Sequence, residues 1–423
     1  MKIFSHAISI YVHYPYCSKI CTFCAFNKYK VPSNLNQVTL TQAYITELSY
    51  GLKRFKQVTS NEPVHVRSVY FGGGTPSLAT WLVRDVLKSL RTSGYDLNTA
   101  EVTLEANPTS LPDVQLLRDI GVTRVSLGLQ SLLDTNQLRK FNREHSAMDS
   151  QLALDRLAKD VAYLPDGFSF DLMFANPLND KGMFKEEACI TKELAVALPY
   201  AQIGGHVSLY ELTVEHGTPL SKEVKAGRIL MPDRDCAADE YEAAVSCMVG
   251  NGFDHYEVSS FAKPGRYGRH NFAFWMHEDL IGIGPGAHGR LTLNHSSKYR
   301  TRCIPDPTRW ATQIEARGHG IARHDVLEHA FAEECIAVGL RTEVGVPRSH
   351  FLKMVGQSLE SCLDMTQVGF LQEEGFLDWS EAGPSSPGLP REYQEVFKNG
   401  FLRATERGRR VLDLITPMLL RTT

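Results

Sequence analysis

Three cysteines crowd one short stretch near the N-terminus, Cys17-Ser-Lys-Ile-Cys21-Thr-Phe-Cys24. With three and then two residues between them, a single loop can fold three thiolates around one compact metal centre. A four-iron iron–sulfur cluster takes four ligands, usually cysteine thiolates, so three cysteines leave one iron open to a ligand that is not protein. A zinc site would want a closed set of four Cys or His ligands. No second Cys pair follows at zinc-ribbon spacing, although His6 or His13 would complete a set. Disulfide pairing suits neither the odd local number nor a chain that reads as intracellular. The other six cysteines, Cys189, Cys236, Cys247, Cys303, Cys335 and Cys362, are scattered singly and read as buried thiols.

Further polar residues stand at the ends of apolar runs. Gly72-Gly73-Gly74-Thr75-Pro76 closes the run Val64 to Phe71. It reads as a plain strand-to-helix turn, or as a segment whose missing Cβ atoms let backbone amides approach a ligand. Glu105 ends Val102-Thr-Leu-Glu105, where a carboxylate can pair with an ammonium or accept from ribose hydroxyls. Gln130, in Ser126-Leu-Gly-Leu-Gln130, offers a donor and an acceptor to a sugar or adenine edge. Arg143 can clamp a carboxylate in bidentate fashion, and Asp171 can hold ribose hydroxyls. Taken singly, each also reads as a capping or solvated polar residue.

The elements that must position these groups are legible from periodicity. Strands carrying Val12, Val69, Val102, Val125, Phe170 and Val207 alternate with helical patterns such as Leu40 to Phe55 and Glu186 to Leu198. Six strands alternating with helices mean βαβ units and a parallel sheet. That leaves two options, a partial (β/α)6 barrel or an open doubly wound sheet. The candidate groups fall at C-terminal strand ends, where parallel α/β proteins place their sites. Residues 1–262 form this core. Residues 263–300 are a glycine-rich connection, and 301–423 a mainly helical, winged-helix-like domain with Val326 to Leu340 as its best helix. Its wing is Gly375 to Trp379, the loop Gly383 to Gly388, and Phe401 to Thr405.

Composition sets the outer limits. The chain has 423 residues, a formal net charge of -3, 43% hydrophobic and 22% charged residues. Those values are ordinary for a globular protein and give no electrostatic case for nucleic acid or an anionic membrane. No apolar run is long enough to span a bilayer. The N-terminus enters the first strand too soon for a signal or transit peptide.

The CxxxCxxC loop after a strand, followed by the triple glycine, resembles the radical S-adenosylmethionine (SAM) superfamily. In that family the open iron is chelated by the amino and carboxylate groups of SAM, and an electron from the cluster splits SAM into methionine and a 5′-deoxyadenosyl radical. The resemblance implies a partial (β/α)6 barrel holding a 4Fe-4S cluster on Cys17, Cys21 and Cys24. It implies SAM contacts from Tyr11, Gly73, Gly74, Thr75, Glu105, Gln130, Arg143 and Asp171. Similarity to the HemN/HemW group runs from Tyr11 to Leu412. The HemN-type enzymes carry a fourth cysteine where this chain has Phe26; Phe26-Asn-Lys-Tyr29 resembles the HemW-type heme chaperones, above all their mitochondrial members. His270-Asn271-Phe-Ala-Phe274-Trp275 resembles the HNxxYW heme-binding motif of that group, with Phe for Tyr; His277 and His288 are rival ligands. A neutral imidazole suits heme iron, and Phe274 and Trp275 offer stackable surface. The chain departs from the family pattern at Asn142, where a glycine is usual, and at Phe174-Ala-Asn-Pro177, where Tyr-Gly-Leu-Pro is usual.

Two functions follow as expectations. The first is a heme chaperone with cluster, SAM and heme as cofactors, a client hemoprotein and an electron donor as partners, a homodimer as an option, and a mitochondrial or else cytoplasmic location. The alternative is an oxygen-independent coproporphyrinogen III oxidase. The missing fourth cysteine and the short stretch before Tyr11 weigh against it.

Overall fold

The computed structural model describes residues 6–59, 63–178, 189–294, 297–327, 329–381, 393, 396–397 and 399–420. Six strands follow one another in chain order: β1 (His6–Tyr14), β2 (Val64–Gly73), β3 (Glu101–Ala106), β4 (Arg124–Gln130), β5 (Phe168–Phe174) and β6 (Gly205–Glu211). They lie side by side in the same order, all parallel. A doubly wound sheet needs a point where strand order reverses. These six have none, so the sheet winds in one direction, as a partial barrel does.

Alternation explains why it curls round a polar interior. On β1, Ile8, Ile10 and Val12 are fully buried against the helices, whereas Ser9, Tyr11 and His13 point to the other face. The outer helices are fixed locally. The Gln37–Val58 helix starts at Asn36, whose side chain accepts from the Thr39 amide, and buries Tyr44, Leu48, Leu52 and Phe55 on one stripe. Each such side chain contributes about 1.5–3 kcal/mol on burial.

The sheet does not stop at 262, nor at 300. Past two short antiparallel strands, β7 (Asp254–Glu257) and β8 (Ser260–Ala262), the segment expected as a connection supplies a seventh parallel strand, β9 (Asp279–Ile283), on the free side of β1. Three antiparallel strands extend it: β10 (His288–Asn294), β11 (Ser297–Cys303) and β12 (Ile321–Leu327). The expected Val326–Leu340 helix is therefore the end of β12 followed by a helix at His329–Gly339. Short apolar runs do not distinguish the two states by periodicity. A second core, built from residues between Phe331 and Leu419, holds the C-terminal helices. The expected wing strands pair antiparallel as Leu377–Ser380 with Phe401–Ala404. The loop Gly383–Gly388 and the start of the Glu186–Leu198 helix lie outside the described residues; the described part of that helix is Ile190–Gly204.

What ties the extension to the barrel is a buried carboxylate that the sequence reading passed over. Glu47, on the Gln37–Val58 helix and 2% exposed, accepts from the Gly284 amide at 2.8 Å, the Gly320 amide at 2.7 Å, Trp310 Nε1 at 2.9 Å and Cys303 Sγ at 3.5 Å.

Candidate cluster and cofactor site

The cysteine loop leaves β1 at its C-terminal end and is clamped from two sides. On one side the Thr22 amide donates to Phe141 O at 3.1 Å, Asn142 Nδ2 to Ile20 O at 2.8 Å, and Ser18 Oγ to Glu144 Oε2 at 2.6 Å. On the other, Asn27 Nδ2 donates to Pro285 O and Pro305 O, each at 2.9 Å. Asn142 has φ +58°, in the left-handed region that glycine enters freely and asparagine tolerates. That is why Asn can replace the family's usual glycine here, with a hydrogen bond to the loop added.

A chain of polar contacts brackets the thiols. The Thr75 hydroxyl acts to lower the Cys17 thiol and accepts from Asn107 Nδ2 at 3.2 Å. Asn107 Oδ1 accepts from Arg143 Nη2 at 2.8 Å, and Arg143 Nη1 points at Cys21 Sγ at 3.3 Å. Asn107, just before Pro108, links the end of β3 to the cysteine loop. All three thiols are free and half-buried. Burial pushes the Cys17 thiol up to about 11 and also raises Cys24, with the Lys28 and Arg143 charges acting against it at Cys24. Iron binding must therefore displace protons. Among the described residues no three His, Cys, Asp or Glu side chains converge on a single-ion position; a four-iron cluster spreads its thiolates wider than one ion does. Three thiols on one loop, with two cations beside them to offset thiolate charge, fit such a cluster.

The glycine turn is tied into the fold by its amides: Gly73 donates to Glu105 Oε2 at 3.0 Å, Gly74 to Tyr14 O at 2.7 Å and the following Thr75 to Tyr16 O at 2.9 Å. Gly73 has φ +108°, and a Cβ there would sit 2.6 Å from the His13 ring. The run is glycine because the stem of the cysteine loop packs onto it. Glu105 thus holds the turn, accepting from Tyr70 Oη at 2.8 Å as well; burial raises its carboxyl above the usual range.

Beneath the loop lies a cavity of about 250 Å³. Strand register layers its walls. Glu105, Ser126, Ser169 and His206 form one row, and Asp171 and Ser208 lie in the next. Gln130, at φ +67°, closes β4 with its Oε1 buried and unpartnered, as is Thr103 Oγ1. Burial, then the Glu105 charge, pushes Asp171 up to about 7. A raised carboxyl favours the protonated folded state. Its contribution is complete below 3.8, the unfolded value, and is lost as the pH rises to about 7. Metal-free protein is expected to lose stability over that window with a slope approaching about 1.4 kcal/mol per pH unit from this group, and Asp171→Asn to flatten it. Urea midpoints from pH 4 to 8 check this; equal slopes in both proteins would refute it.

Four of the expected residues close the other end of the barrel or lie outside it. Arg269–Trp275 is a helix, held by a residue the sequence reading missed. Glu101, 1% exposed, accepts from the amides of Arg269 and His270, both at 3.1 Å, and from Arg124 Nε at 3.0 Å. Arg124 also donates to Arg266 O and Tyr267 O. An acid and a base at the starts of neighbouring strands, Glu101 and Arg124, were the available signal. His270 points into the lumen, where Nδ1 meets Ser68 Oγ at 2.8 Å and the ring stacks on Tyr70 at 4.9 Å; burial lowers it to about 3. Asn271 lines the same cavity. Tyr11 packs beside His270 and bonds His13 Nδ1 at 3.0 Å, away from the cavity wall. Phe274 is on the surface at 39% exposure, and Trp275 packs on Tyr256 in a separate small core. The expected heme quartet therefore does not share one face. Of its rivals, His277 is buried against Phe331, and His288 is exposed on β10.

One departure from the family pattern is strained. Ala175 has φ +53°, a conformation that costs a non-glycine residue roughly 1–2 kcal/mol. After the added chain entropy of glycine, Ala175→Gly is expected to stabilise by about 0.5–1 kcal/mol. A higher urea midpoint at unchanged m-value is the check, and an unchanged or lower midpoint counts against it.

A singly wound parallel barrel with three thiols on the loop after its first strand defines the class, an α/β barrel protein built to carry a metal cluster. The model of the "Radical SAM superfamily" matches residues 11–171. The chain is 37% identical to the mouse "Radical S-adenosyl methionine domain-containing protein 1, mitochondrial", over 95% of this chain and 83% of that protein. It is 29% identical to "Heme chaperone HemW" of Bacillus subtilis, over 88% of this chain and 93% of that one. Among solved structures, coproporphyrinogen III oxidase (HemN) from Escherichia coli superposes with a TM-score of 0.73 at 18% identity, over 98% and 90% of the two chains, and so shares the fold. The chain belongs to the radical SAM superfamily, with radical S-adenosyl methionine domain-containing protein 1 and HemW among its relatives. The superfamily implies a 4Fe-4S cluster and SAM.

Proposed function

We propose that this protein is a heme chaperone on a radical SAM scaffold, which holds a 4Fe-4S cluster, SAM and heme and passes heme to a client hemoprotein. The observation that carries the reading is Phe26. It sits two residues past the third thiol, where the HemN group has a cysteine, and its ring is 67% exposed at the mouth of the cavity. The name of the Bacillus relative supports heme handling, and that of the mouse relative supports a mitochondrial setting.

In this reading Cys17, Cys21 and Cys24 hold the cluster, which when bound supplies one electron at its open iron. Arg143 orients the Cys21 thiolate and offsets its charge. Gln130, Asp171 and Glu105 present the acceptors that suit the ribose and ammonium of SAM. Burial favours the neutral form of His270, the form that ligates heme iron, but its helix must leave the barrel floor before a heme reaches it.

The test is an anaerobic hemin titration of cluster-loaded protein, followed at the Soret band, with Cys21→Ala and His270→Ala beside it. One heme per chain is expected, with cluster absorbance lost in Cys21→Ala. Protein with an intact cluster that ignores hemin, yet forms vinyl product from coproporphyrinogen III with SAM and reductant, would move the assignment to the oxidase.

A further inference from the structure

The antiparallel extension carries a charge pattern that the barrel does not need. Its outer face is fixed by Ile281, Leu291, Tyr299 and Cys303, which pack towards the Gln37–Val58 helix. Alternation then turns His288, Arg290, Arg300, Arg302 and Arg323 to the inner face, the one that also holds Tyr11 and His13. In register, His288 stands opposite Arg302 and Arg302 opposite Arg323, so three basic residues lie in one row across three strands. The row is at the end of the sheet from which the cysteine loop emerges. Burial lowers His288, and the charges of Arg302, Arg290 and Arg300 add to the effect.

Like charges directly opposite across a strand pair are destabilising, and the local acids do not cancel these. Arg290 pairs with Glu334 at 3.0 Å, while Asp325 serves both Arg300 at 3.3 Å and Arg323 at 3.0 Å. Arg302 is exposed and has no acidic partner among the described residues. Four arginines against two carboxylates leave an excess of two positive charges. From His288 to Arg323 the row spans two strand spacings, about 10 Å. That is the footprint of a small molecule rather than the roughly 800 Å² a protein partner covers. Phe26 is anchored at this end of the sheet through its neighbour: the side chain of Asn27 is bonded to Pro285 O and Pro305 O, in the turns leading into His288 and out of Arg302. An exposed aromatic ring anchored at the same sheet end as two surplus positive charges suits a planar ligand with two carboxylates.

We infer that the His288–Arg302–Arg323 row is the docking site for the two propionates of heme, with the macrocycle lying towards Phe26 at the barrel mouth. The inference rests on the heme-chaperone reading and adds to it an entry site that does not require the Arg269–Trp275 helix to move.

Cluster-loaded wild type and the Arg302→Gln/Arg323→Gln double variant are titrated with hemin and with hemin dimethyl ester, which lacks the free carboxylates. Both substituted residues are exposed, and equal iron content and urea midpoints confirm that the variant is folded. Wild type is expected to bind hemin about ten-fold or more tightly than the ester, and the variant to bind the two alike, with hemin weakened about ten-fold. Unchanged hemin affinity in the variant overturns the site. So does a defect confined to cluster reduction by an acidic flavoprotein, which would give the row to a protein partner. Wild type that binds neither compound overturns the chaperone reading itself, a result distinct from the other two.

Discussion

Glu101→Ala is expected to cost about 3–5 kcal/mol, the loss typical of leaving one partner of a buried ion pair without the other. Arg124 has a side chain only 5% exposed and would keep its charge with nothing but carbonyls to answer it. The amides of Arg269 and His270 would also lose their acceptor, and Arg269 would retain Asp166 and the Thr99 carbonyl, each at 2.8 Å. The damage should be local as well as global. Hydrogen exchange at residues 266–276 should rise well above that of the outer helices, because this carboxylate caps the helix that closes the barrel floor. The double variant Glu101→Ala/Arg124→Met separates the charge from the cap: it should recover much of the stability but not the exchange protection. A single-variant loss below about 1 kcal/mol would mean that the floor is held by packing alone.

Glu47→Ala is expected to cost at least 3 kcal/mol, and its consequence lies elsewhere in the molecule. Two backbone amides, an indole N–H and a thiol converge on this one carboxylate, and each buried donor left unpaired costs about 1–3 kcal/mol. Burial raises the Glu47 carboxyl, and the bonds from Gly284, Gly320, Trp310 and Cys303 pull it back. The Gly284 turn that it anchors carries Pro285, whose carbonyl holds Asn27 at the end of the cysteine loop. Iron bound per chain after anaerobic reconstitution should therefore fall along with the urea midpoint. Trp310→Phe, which removes one donor and shrinks a buried ring but leaves the carboxylate in place, should cost less than Glu47→Ala and leave iron content intact. Full iron loading in a destabilised Glu47→Ala protein would show that the cysteine loop does not depend on this anchor.

The sequence by itself determined the cluster loop, because three thiols of one metal centre fit in eight consecutive residues and need no distant contact to be noticed. It determined the alternation of strands and helices for a similar reason, since βαβ units repeat within about 30 residues. The singly wound order of β1–β6 needed the structure, as did the seventh parallel strand, which joins from almost 270 residues away. The residues implied at the cofactor site were legible as types at strand ends, but their partners were not. Glu105 bonds Gly73 and Tyr70 while lining the cavity, and the Gly74 amide is taken by the loop stem, both through contacts between strands distant in sequence. His270 shows the limit most plainly. Its motif could be read from six residues, yet whether it faced solvent depended on Glu101 and Arg124, about 150 residues earlier in the chain. Burial is a property of packing, and the tertiary structure alone decided it: with Glu101 and Arg124 paired at the barrel floor, the imidazole turns inward.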